Sequence, residues 1–488
     1  MKRILAIILA TTVIAGSTVA ATAEQTNGGE SQLVQMELSA SRSRGPGGQP
    51  GGKPGDNQNE KQKGQQPPEM PGNNQNQNGQ NNQQPPEMPG NNQNQNGQNN
   101  QQPPEMPGNG QMPGGPMNGQ MPGGPGMENA PTEYSAANTL TESASDATYT
   151  STANDENAVL VSDGSITLSG VTISKTGSSN GENADFYGTN AAVLATNGST
   201  LTIDNAEITS DGGHANGIFS YGSGTTVNVS NTTISTTGNN SGGLMTTGGA
   251  TLNASDMTVS TTGNSSAAIR TDRGGGDVNV TGGSYDTAGI GSPAIYSTAD
   301  ISVSNASLSA SSSEAVVIEG GNSVTLEGVA ISGNDATLNG QSTQKTNVLI
   351  YQSMSGDASE GASTFTMTGG EMTAETGSMF HVTNVTTTIN LDNVDFTYAS
   401  DSNVFLDASA DSWGRSGSNG GNVTLNLTNQ EITGAILSDS VSTVTLNLDD
   451  SSTWTLTGDS YLTSFTGSLD NVNLNGYTLY VNGEAVSK

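Results

Sequence analysis

The sequence predicts an all-β solenoid, in which short strands stack in successive coils, over the part of the chain that follows residue 130. One short pattern recurs about every 25 residues there, which is typical of a repeat architecture. Within each copy, apolar and polar residues alternate with a period of two, as they do along a strand. Only 31% of the 488 residues are hydrophobic and 65 are glycine, too few apolar side chains for an ordinary compact core of this length. A thin core shared by many coils would account for this composition.

Each repeat begins with a small residue and two further residues, mostly apolar, and then enters a turn rich in glycine or polar residues. The copies are 34, 25, 26, 25, 26 and 21 residues apart and begin at Ala158, Ala192, Gly217, Gly243, Ala268, Ala294 and Ala315. An alternating strand such as "TVNVSNTTI" or "TLNASDMTV" follows each turn. Gly, Asn and Asp at the junctions favour tight turns with left-handed backbone. Tandem β-sandwiches, the alternative architecture, do not repeat at this short period.

With these repeats, the chain resembles the right-handed parallel β-helix proteins over roughly residues 131–488. That fold is shared by pectate lyases, polygalacturonases, autotransporter passengers and many secreted bacterial adhesin-like proteins. The resemblance implies strands that pair in parallel with their equivalents in neighbouring coils. It implies little about activity, because the fold carries enzymes and binding proteins alike.

The N-terminal region predicts export. Lys2 and Arg3 precede an apolar run, and "ATA" at positions 21–23 ends a segment laid out like a secretory signal peptide, residues 1–23. An N-terminal membrane anchor is the alternative, although the run is short for a spanning helix. Residues 24–130 are rich in Pro, Gly, Asn and Gln and contain 18-residue repeats, which predicts a disordered linker. We therefore expect a secreted protein associated with the cell envelope, without a transmembrane anchor once the signal is cleaved.

The distribution of charge excludes some partners. The formal net charge is −32, and seven of the 13 basic residues precede residue 64. From residue 131 onward only six basic residues face 36 acidic ones. Such a surface repels nucleic acid and anionic lipid. The chain has no cysteine, which excludes disulfides and thiolate chemistry.

Alternation within the repeat predicts which side chains of the first strand face the core. The residue after each small one should point inward, in a column that runs from Val159 to Val316, and the small residues should face outward at tight corners. The next outward positions should share one patch of exposed aromatic and charged side chains, a candidate glycan site. Its members are Phe219, Tyr221, Arg270, Asp272, Tyr296 and Glu319. The alternative is that "DFYGTN", residues 185–190, or another long turn covers this face.

Evidence for catalysis is thin. Asp272 and Glu319 lie two coils apart on one column, at the long end of the spacing for an inverting carboxylate pair, and the polygalacturonase signatures are absent. Calcium is the one cofactor that the acidity suggests, with Asp272 and Asp277 as weak candidate ligands. An ice-binding face would need regular Thr-x-Thr stacks on one flat face, and these are missing from the sequence. The aromatic residues of segment 451–488 predict a C-terminal structural cap, with an aromatic sugar site as the alternative.

These observations favour an exported, noncatalytic, adhesin-like surface protein that binds glycan or another extracellular partner along the flank of the solenoid. A polysaccharide lyase or glycoside hydrolase of the same fold is the first alternative. A purely structural envelope component is the second. An open groove at the predicted patch would favour binding or catalysis, and a covered face would favour the structural role.

Overall fold

The computed structural model describes residues 21–27, 30–36, 130–339, 342–353 and 355–486. The chain divides into two units, Met1–Met112 and Pro113–Lys488. In the first unit, strands Ala21–Asn27 and Glu30–Met36 pair antiparallel. Apart from this pair, the predicted signal peptide and nearly all of the predicted linker lie outside the described residues.

The second unit is a parallel β-helix, as the repeats predict. Most coils contribute three strands, and each strand pairs in parallel with its equivalent in the next coil. The first strand of each coil belongs to an 11-stranded sheet, here called the first sheet. Its strands are Val159–Val161, Val193–Ala195, Ile218–Tyr221, Leu244–Thr247, Ile269–Thr271, Ile295–Ser297, Val316–Glu319, Thr346–Tyr351, Ser378–Thr383, Val404–Ala408 and Ala435–Ser438.

The other two strands of each coil form two columns of one 21-stranded sheet. The second column holds Ala144–Ser145, Ser165–Ser169, Thr200–Asp204, Thr226–Ser230, Ala250–Ser255, Gly276–Thr281, Asp300–Ser304, Thr386–Asp392, Asn422–Thr428, Thr443–Leu448 and Ser464–Thr466. The third column holds Thr148–Ser151, Thr172–Lys175, Glu207–Ser210, Thr233–Thr236, Thr258–Thr261, Ser284–Thr287, Ser307–Ala310 and Asp395–Thr397. Two long strands, Ser323–Gly333 and Ala362–Ala374, run through both columns and join them.

The remaining elements lie at the C-terminal end and in one long turn. Strands Glu431–Thr433, Thr453–Thr455 and Val472–Asn473 form a separate three-stranded sheet, and Ser460–Leu462, Leu479–Val481 and Glu484–Ala485 form another. The helical elements are α1, Glu182–Tyr187, and the 3₁₀ turn Leu469–Asn471. Within the described residues, no helix is both long and apolar enough to cross a bilayer.

The core is thin and mostly aliphatic, with a run of buried aromatic rings at Phe365, Phe380 and Phe405 in the later coils, which explains the composition. The predicted inward column of the first sheet is confirmed: the side chains from Val159 to Val316 are at most 1% exposed, and their strands are in register from coil to coil. The second and third columns add alternating Leu, Ile and Val from the other side. Each coil therefore needs only a few apolar residues to close its share of the core.

The prediction for the small residue before each first strand is wrong. These residues do not face outward; all are buried, and the five alanines belong to the main core cluster. At Gly217 an added Cβ would lie 2.5 Å from Ile234 Cγ2, and at Gly243 it would lie 2.3 Å from Val259 Cγ1. The third column crosses directly opposite this corner, so the position must be small because the interior is narrow there.

The bend between the second and third columns uses left-handed backbone. Asn205, Asn231, Asp256 and Asn305 have φ values of 54°, 49°, 51° and 52°. Asn and Asp tolerate this conformation better than other residues with a side chain. The recurrent Asn and Asp after the alternating strands therefore mark the corner of the coil, and glycine with positive φ takes this position in other coils, as at Gly170 and Gly282.

The C-terminal end contains the expected aromatic residues in two different settings. Trp454 is fully buried and donates a hydrogen bond from Nε1 to the Gly434 carbonyl, 2.9 Å away. Tyr461 and Tyr480 stack with ring centroids 5.1 Å apart, and the Tyr461 side chain is 41% exposed. Strand Leu479–Val481 pairs antiparallel with the last described strand, so the parallel stacking ends there.

Candidate functional site

Four of the six predicted site residues come together on the outer side of the first sheet. The Arg270 guanidinium donates to Asp272 Oδ2 from NH2 at 2.5 Å and from Nε at 3.1 Å. It also lies 5.4 Å from the centre of the Tyr296 ring. The Tyr296 hydroxyl donates to Glu319 Oε2 at 2.5 Å. The four side chains thus form one continuous network along three coils.

This network is already satisfied by protein groups. The carboxylate of Glu319 also accepts hydrogen bonds from Tyr351 at 2.9 Å, from Ser353, and from Ser355 at 3.3 Å. The second oxygen of Asp272 accepts the backbone N–H of Arg273 at 2.9 Å. Only 2% of Asp272 and 2% of Glu319 are exposed. These carboxylates hold neighbouring turns in place and offer little to a ligand.

Burial and pairing pull the ionisation of this network in opposite directions. Burial favours the neutral form of both partners, yet the Asp272 carboxylate raises the pKa of Arg270 above its ordinary value. For Asp272 burial is the larger effect and raises its pKa, against the pull of Arg270. The two directions disagree, because the raised pKa of Arg270 favours a charged pair whereas the raised pKa of Asp272 favours a neutral carboxyl group. We take it as an ion pair, because one guanidinium makes two hydrogen bonds to the carboxylate and a backbone N–H makes a third. Burial also raises the pKa of Tyr296, which stays a neutral donor.

The other two predicted residues belong to a separate, apolar cluster. Phe219 is fully buried with Leu160, Leu194 and Met245, and Tyr221 packs at its edge. They share the outer side of the first sheet with the polar network but contribute to no open surface beside it. The predicted patch is therefore divided in two.

The apolar part of the patch is covered by the "DFYGTN" turn, one of the alternatives that the sequence left open. An added Cβ at Gly188 would meet the Phe219 ring at 2.7 Å, and the Tyr187 ring lies 5.3 Å from that of Tyr221. Phe186 lies under the Arg273 guanidinium at 3.6 Å from the ring centre. This cation–π contact fixes the turn over the sheet. The turn also accepts a hydrogen bond from Thr247 to the Phe186 carbonyl, at 2.7 Å.

The two candidate calcium ligands occupy different surroundings. Asp272 is held by Arg270, whereas Asp277 is exposed on the outer side of the second column, in register with Asp300. Across the part of the chain that the structure describes, no three Asp, Glu or His side chains converge into a metal-binding group.

One buried carboxyl pair was not foreseen from the sequence. Asp335 and Glu314 are 1% and 5% exposed, and Asp335 accepts the backbone N–H of Thr346 at 3.3 Å. Burial, and then the nearby Glu314 charge, raise the pKa of Asp335 to about 7. A raised pKa suits a general acid, but a polysaccharide cannot reach a side chain that is enclosed in this way.

This pair makes the stability depend on pH in a defined direction. Below about pH 4 Asp335 is protonated in both folded and unfolded chains, and as pH rises towards 7 only the unfolded chain ionises, so stability falls. The Glu314 carboxylate disfavours the negative charge on Asp335, and the Lys345 ammonium group favours it. We expect Asp335→Asn to add about 2 kcal/mol of unfolding free energy at pH 8 and almost nothing at pH 4. Thermal melts of both proteins at the two pH values would check this; an equal gain at both would contradict it.

The exposed outer side of the second column is more regular than the predicted patch. From strand Ser165–Ser169 onward, one outward position of each strand is Thr, Asn or Ser in every coil, without a charged residue, and neighbours at this position are in register. We call this set the Asn/Thr row; it consists of Thr167, Thr202, Asn228, Asn253, Asn279, Ser302, Thr325, Thr366, Asn390, Asn426, Asn447 and Thr466. At roughly 4.8 Å per coil, the row is about 50 Å long.

Side-chain amides along this row bond to one another. Asn253 donates to Asn228 at 2.9 Å, and Asn279 donates to Asn253 at 3.1 Å. A second ladder joins Asn447 to Asn426 and Asn426 to Asn390, each at 2.8 Å. Because a primary amide has two N–H groups and two lone pairs, an Asn inside a ladder keeps one donor and one acceptor for a partner outside the protein.

The surface around the first ladder is slightly hollow. A shallow depression of about 430 Å³ is lined by Thr202, Val229, Ala254, Thr281 and the side chains of the ladder, with neighbouring serines. The sequence contained this signal, since the third residue of "TVNVS", "TLNAS" and "DVNVT" is Asn each time. It could be interpreted only once the register of the coils was known.

Comparison with protein-family models, with curated proteins and with solved structures returns no match for this chain. The described part of the second unit belongs, by its architecture, to the class of parallel β-solenoid proteins. A function for it must therefore be inferred from its own surface.

Proposed function

We propose that this chain is an exported, noncatalytic, adhesin-like surface protein that binds an extended, uncharged glycan along the Asn/Thr row. The observation that carries the proposal is the row itself: twelve coils present an amide or hydroxyl group in register on the outer surface of one sheet, five of them exposed and seven half-buried. Export is supported by the signal-peptide pattern of residues 1–23.

The chemistry of the row suits a polymer of hydroxyl groups. A sugar hydroxyl both donates and accepts, as do the free positions of each ladder amide. A regular row lets one polysaccharide chain bind at several coils at once, so that weak contacts add up along the polysaccharide. The row itself has no aromatic side chain, and binding there would depend on hydrogen bonds.

The charge of the solenoid narrows the glycan class. Residues 131–488 carry six basic and 36 acidic side chains, and the rows beside the Asn/Thr row include Asp204, Asp277 and Asp300. A polyuronate or sulfated polymer would be repelled. We therefore propose a neutral polysaccharide, in contrast to the pectic substrates of enzymes with the same fold.

The test is a charged substitution within the row, compared with a matched one elsewhere. Asn253→Lys should weaken binding to an immobilised neutral polysaccharide by at least about tenfold. The substitution removes the amide that joins Asn228 to Asn279 and places a long charged side chain where the polymer would lie. Ser260→Lys is the control: it lies in the same coil, equally half-buried, on the outer side of the third column. The affinity of the Ser260→Lys variant for the polysaccharide should equal that of the parent chain.

Pull-down with insoluble neutral and acidic polysaccharides, with products assayed in parallel, would decide between the alternatives. Equal losses in the two variants would contradict the row as the site. Release of new reducing ends or unsaturated sugars would instead favour a lyase or hydrolase. Thermal hysteresis in cold buffer without glycan binding would instead favour an ice-binding surface.

A further inference from the structure

The ladder of the third column is interrupted at one place. Strands pair without a break as far as Asp395–Thr397, which is in register with Glu371–Thr373. The equivalent strand of the next coil, Glu431–Thr433, does not pair with it and instead starts the separate three-stranded sheet. The second column continues past this level without interruption, and the first sheet continues with a register shift between Val404 and Leu406.

The break follows from the length of one turn. Six residues, Tyr398 to Asn403, connect the third column to the first sheet in the earlier coil, whereas Gly434 alone makes this connection in the next. Gly434 has a φ of 149°, and an added Cβ would lie 2.6 Å from Phe405 Cβ. So short a connection draws Glu431–Thr433 out of the line of the column, and a slot opens beside Asp395–Thr397.

Side chains close the two ends of this slot. At one end the Gln430 amide acts like a missing peptide group: its Oε1 accepts the Val394 N–H at 2.8 Å, and its Nε2 donates to the Val394 carbonyl at 2.7 Å. At the other end the Tyr398 hydroxyl accepts the Thr433 N–H at 3.0 Å. These bonds hold the walls of the slot apart at a fixed distance.

The space between the ends measures about 300 Å³. Its lining combines carboxylates at Asp395 and Glu431, amides at Asn393 and Asn429, and the rings of Phe396 and Tyr398. Both carboxylate side chains are exposed, and Glu371 lies beside Asp395 in the register of the column. The lining has no basic residue.

We propose that this slot binds a single pyranose unit that carries a free amino group. The ammonium group would pair with Asp395 and Glu431 by charge-assisted hydrogen bonds, the hydroxyls would meet the two asparagine amides, and the apolar face of the ring would pack against Phe396 or Tyr398. The volume suits one sugar ring and not a polymer strand. This site is separate from the Asn/Thr row and does not depend on the proposed function.

Burial raises the pKa of Tyr398 to about 12, so its hydroxyl is protonated at neutral pH. Because its oxygen already accepts from Thr433, its own proton is available to donate into the slot. The buried phenol thus adds a neutral donor opposite the acidic rim.

The experiment is a titration of the full chain with glucosamine, in which binding is detected by calorimetry or by NMR of the sugar. We expect saturable binding, with N-acetylglucosamine at least fivefold weaker and glucuronate showing none. Glu431→Gln should weaken glucosamine binding about tenfold, which is roughly 1.4 kcal/mol. Glu207→Gln is the matched control, since Glu207 is likewise the exposed first residue of its strand but lies in the unbroken third column, and it should have no effect.

The two proposals fail independently. Asn253→Lys should leave glucosamine binding unchanged, and Glu431→Gln should leave polysaccharide binding unchanged. No glucosamine binding, equal binding of glucuronate, or equal losses in Glu431→Gln and Glu207→Gln would overturn the slot as an aminosugar site. Loss of polysaccharide binding alone would bear only on the row.

Discussion

Gly212→Ala should destabilise the solenoid strongly, by about 3 kcal/mol or more. An added Cβ there would lie 2.1 Å from the Gly177 carbonyl oxygen, and Gly238 stands in the same relation to Gly212, at 1.9 Å. Gly263 and Gly289 continue this stack at 1.8 Å. Their backbones pass so close from coil to coil that no side chain fits between them.

The neighbouring residue supplies the control. An added Cβ at Gly213 would have nothing nearer than 3.9 Å, so Gly213→Ala should change the unfolding free energy by less than about 0.5 kcal/mol. Thermal melts followed by circular dichroism would compare the two variants with the parent chain. Similar melting temperatures for both variants would show that the turn can shift, and would contradict this account of the glycine stack.

Arg270→Ala should also destabilise the fold, by about 3 kcal/mol, because it leaves the Asp272 carboxylate buried without its partner. The side chains of Arg270 and Asp272 are 19% and 3% exposed, so water cannot replace the lost hydrogen bonds. Chemical denaturation of the full chain would measure the loss. This result would mark Arg270 as a structural residue, although the sequence suggested a role in ligand binding.

The double variant separates charge pairing from packing. If the cost arises from the unpaired carboxylate, Arg270→Ala combined with Asp272→Ala should lose less stability than Arg270→Ala alone. Weaker glycan binding by Arg270→Ala with unchanged stability would have the opposite meaning. It would restore the predicted patch as a ligand site.

Much of the architecture could be predicted from the sequence because the repeat is local. Alternation of apolar and polar residues fixes which side of a strand faces the core, and Asn or Asp at the corner fixes where the coil bends. The inward column from Val159 to Val316 could be predicted from this pattern and the spacing of the copies alone. Parallel stacking of equal coils then follows from burial of that column.

Contacts between distant turns could not be predicted. Nothing local to Phe219 indicates that Gly188 lies against its ring. Likewise, nothing near Tyr351 in the sequence indicates that the Trp413 ring lies 4.5 Å from the Tyr351 ring, measured between ring centres, in a later coil. Long insertions fold back over a face in ways that depend on the whole coil. Exposure of the predicted patch was therefore beyond the reach of the sequence pattern, although four of its members do meet.

The sequence by itself determined the strands, the core column and the acidic, cysteine-free character of this protein, because these depend on residue type and on a period of two. Only the tertiary structure decided which outer surface stays open. Register between coils aligned the Asn/Thr row, one short turn at Gly434 opened the slot beside Asp395, and the "DFYGTN" turn covered Phe219. The physical reason is that a side chain's exposure depends on what packs across it, which in a solenoid is set by the neighbouring coils and their turns.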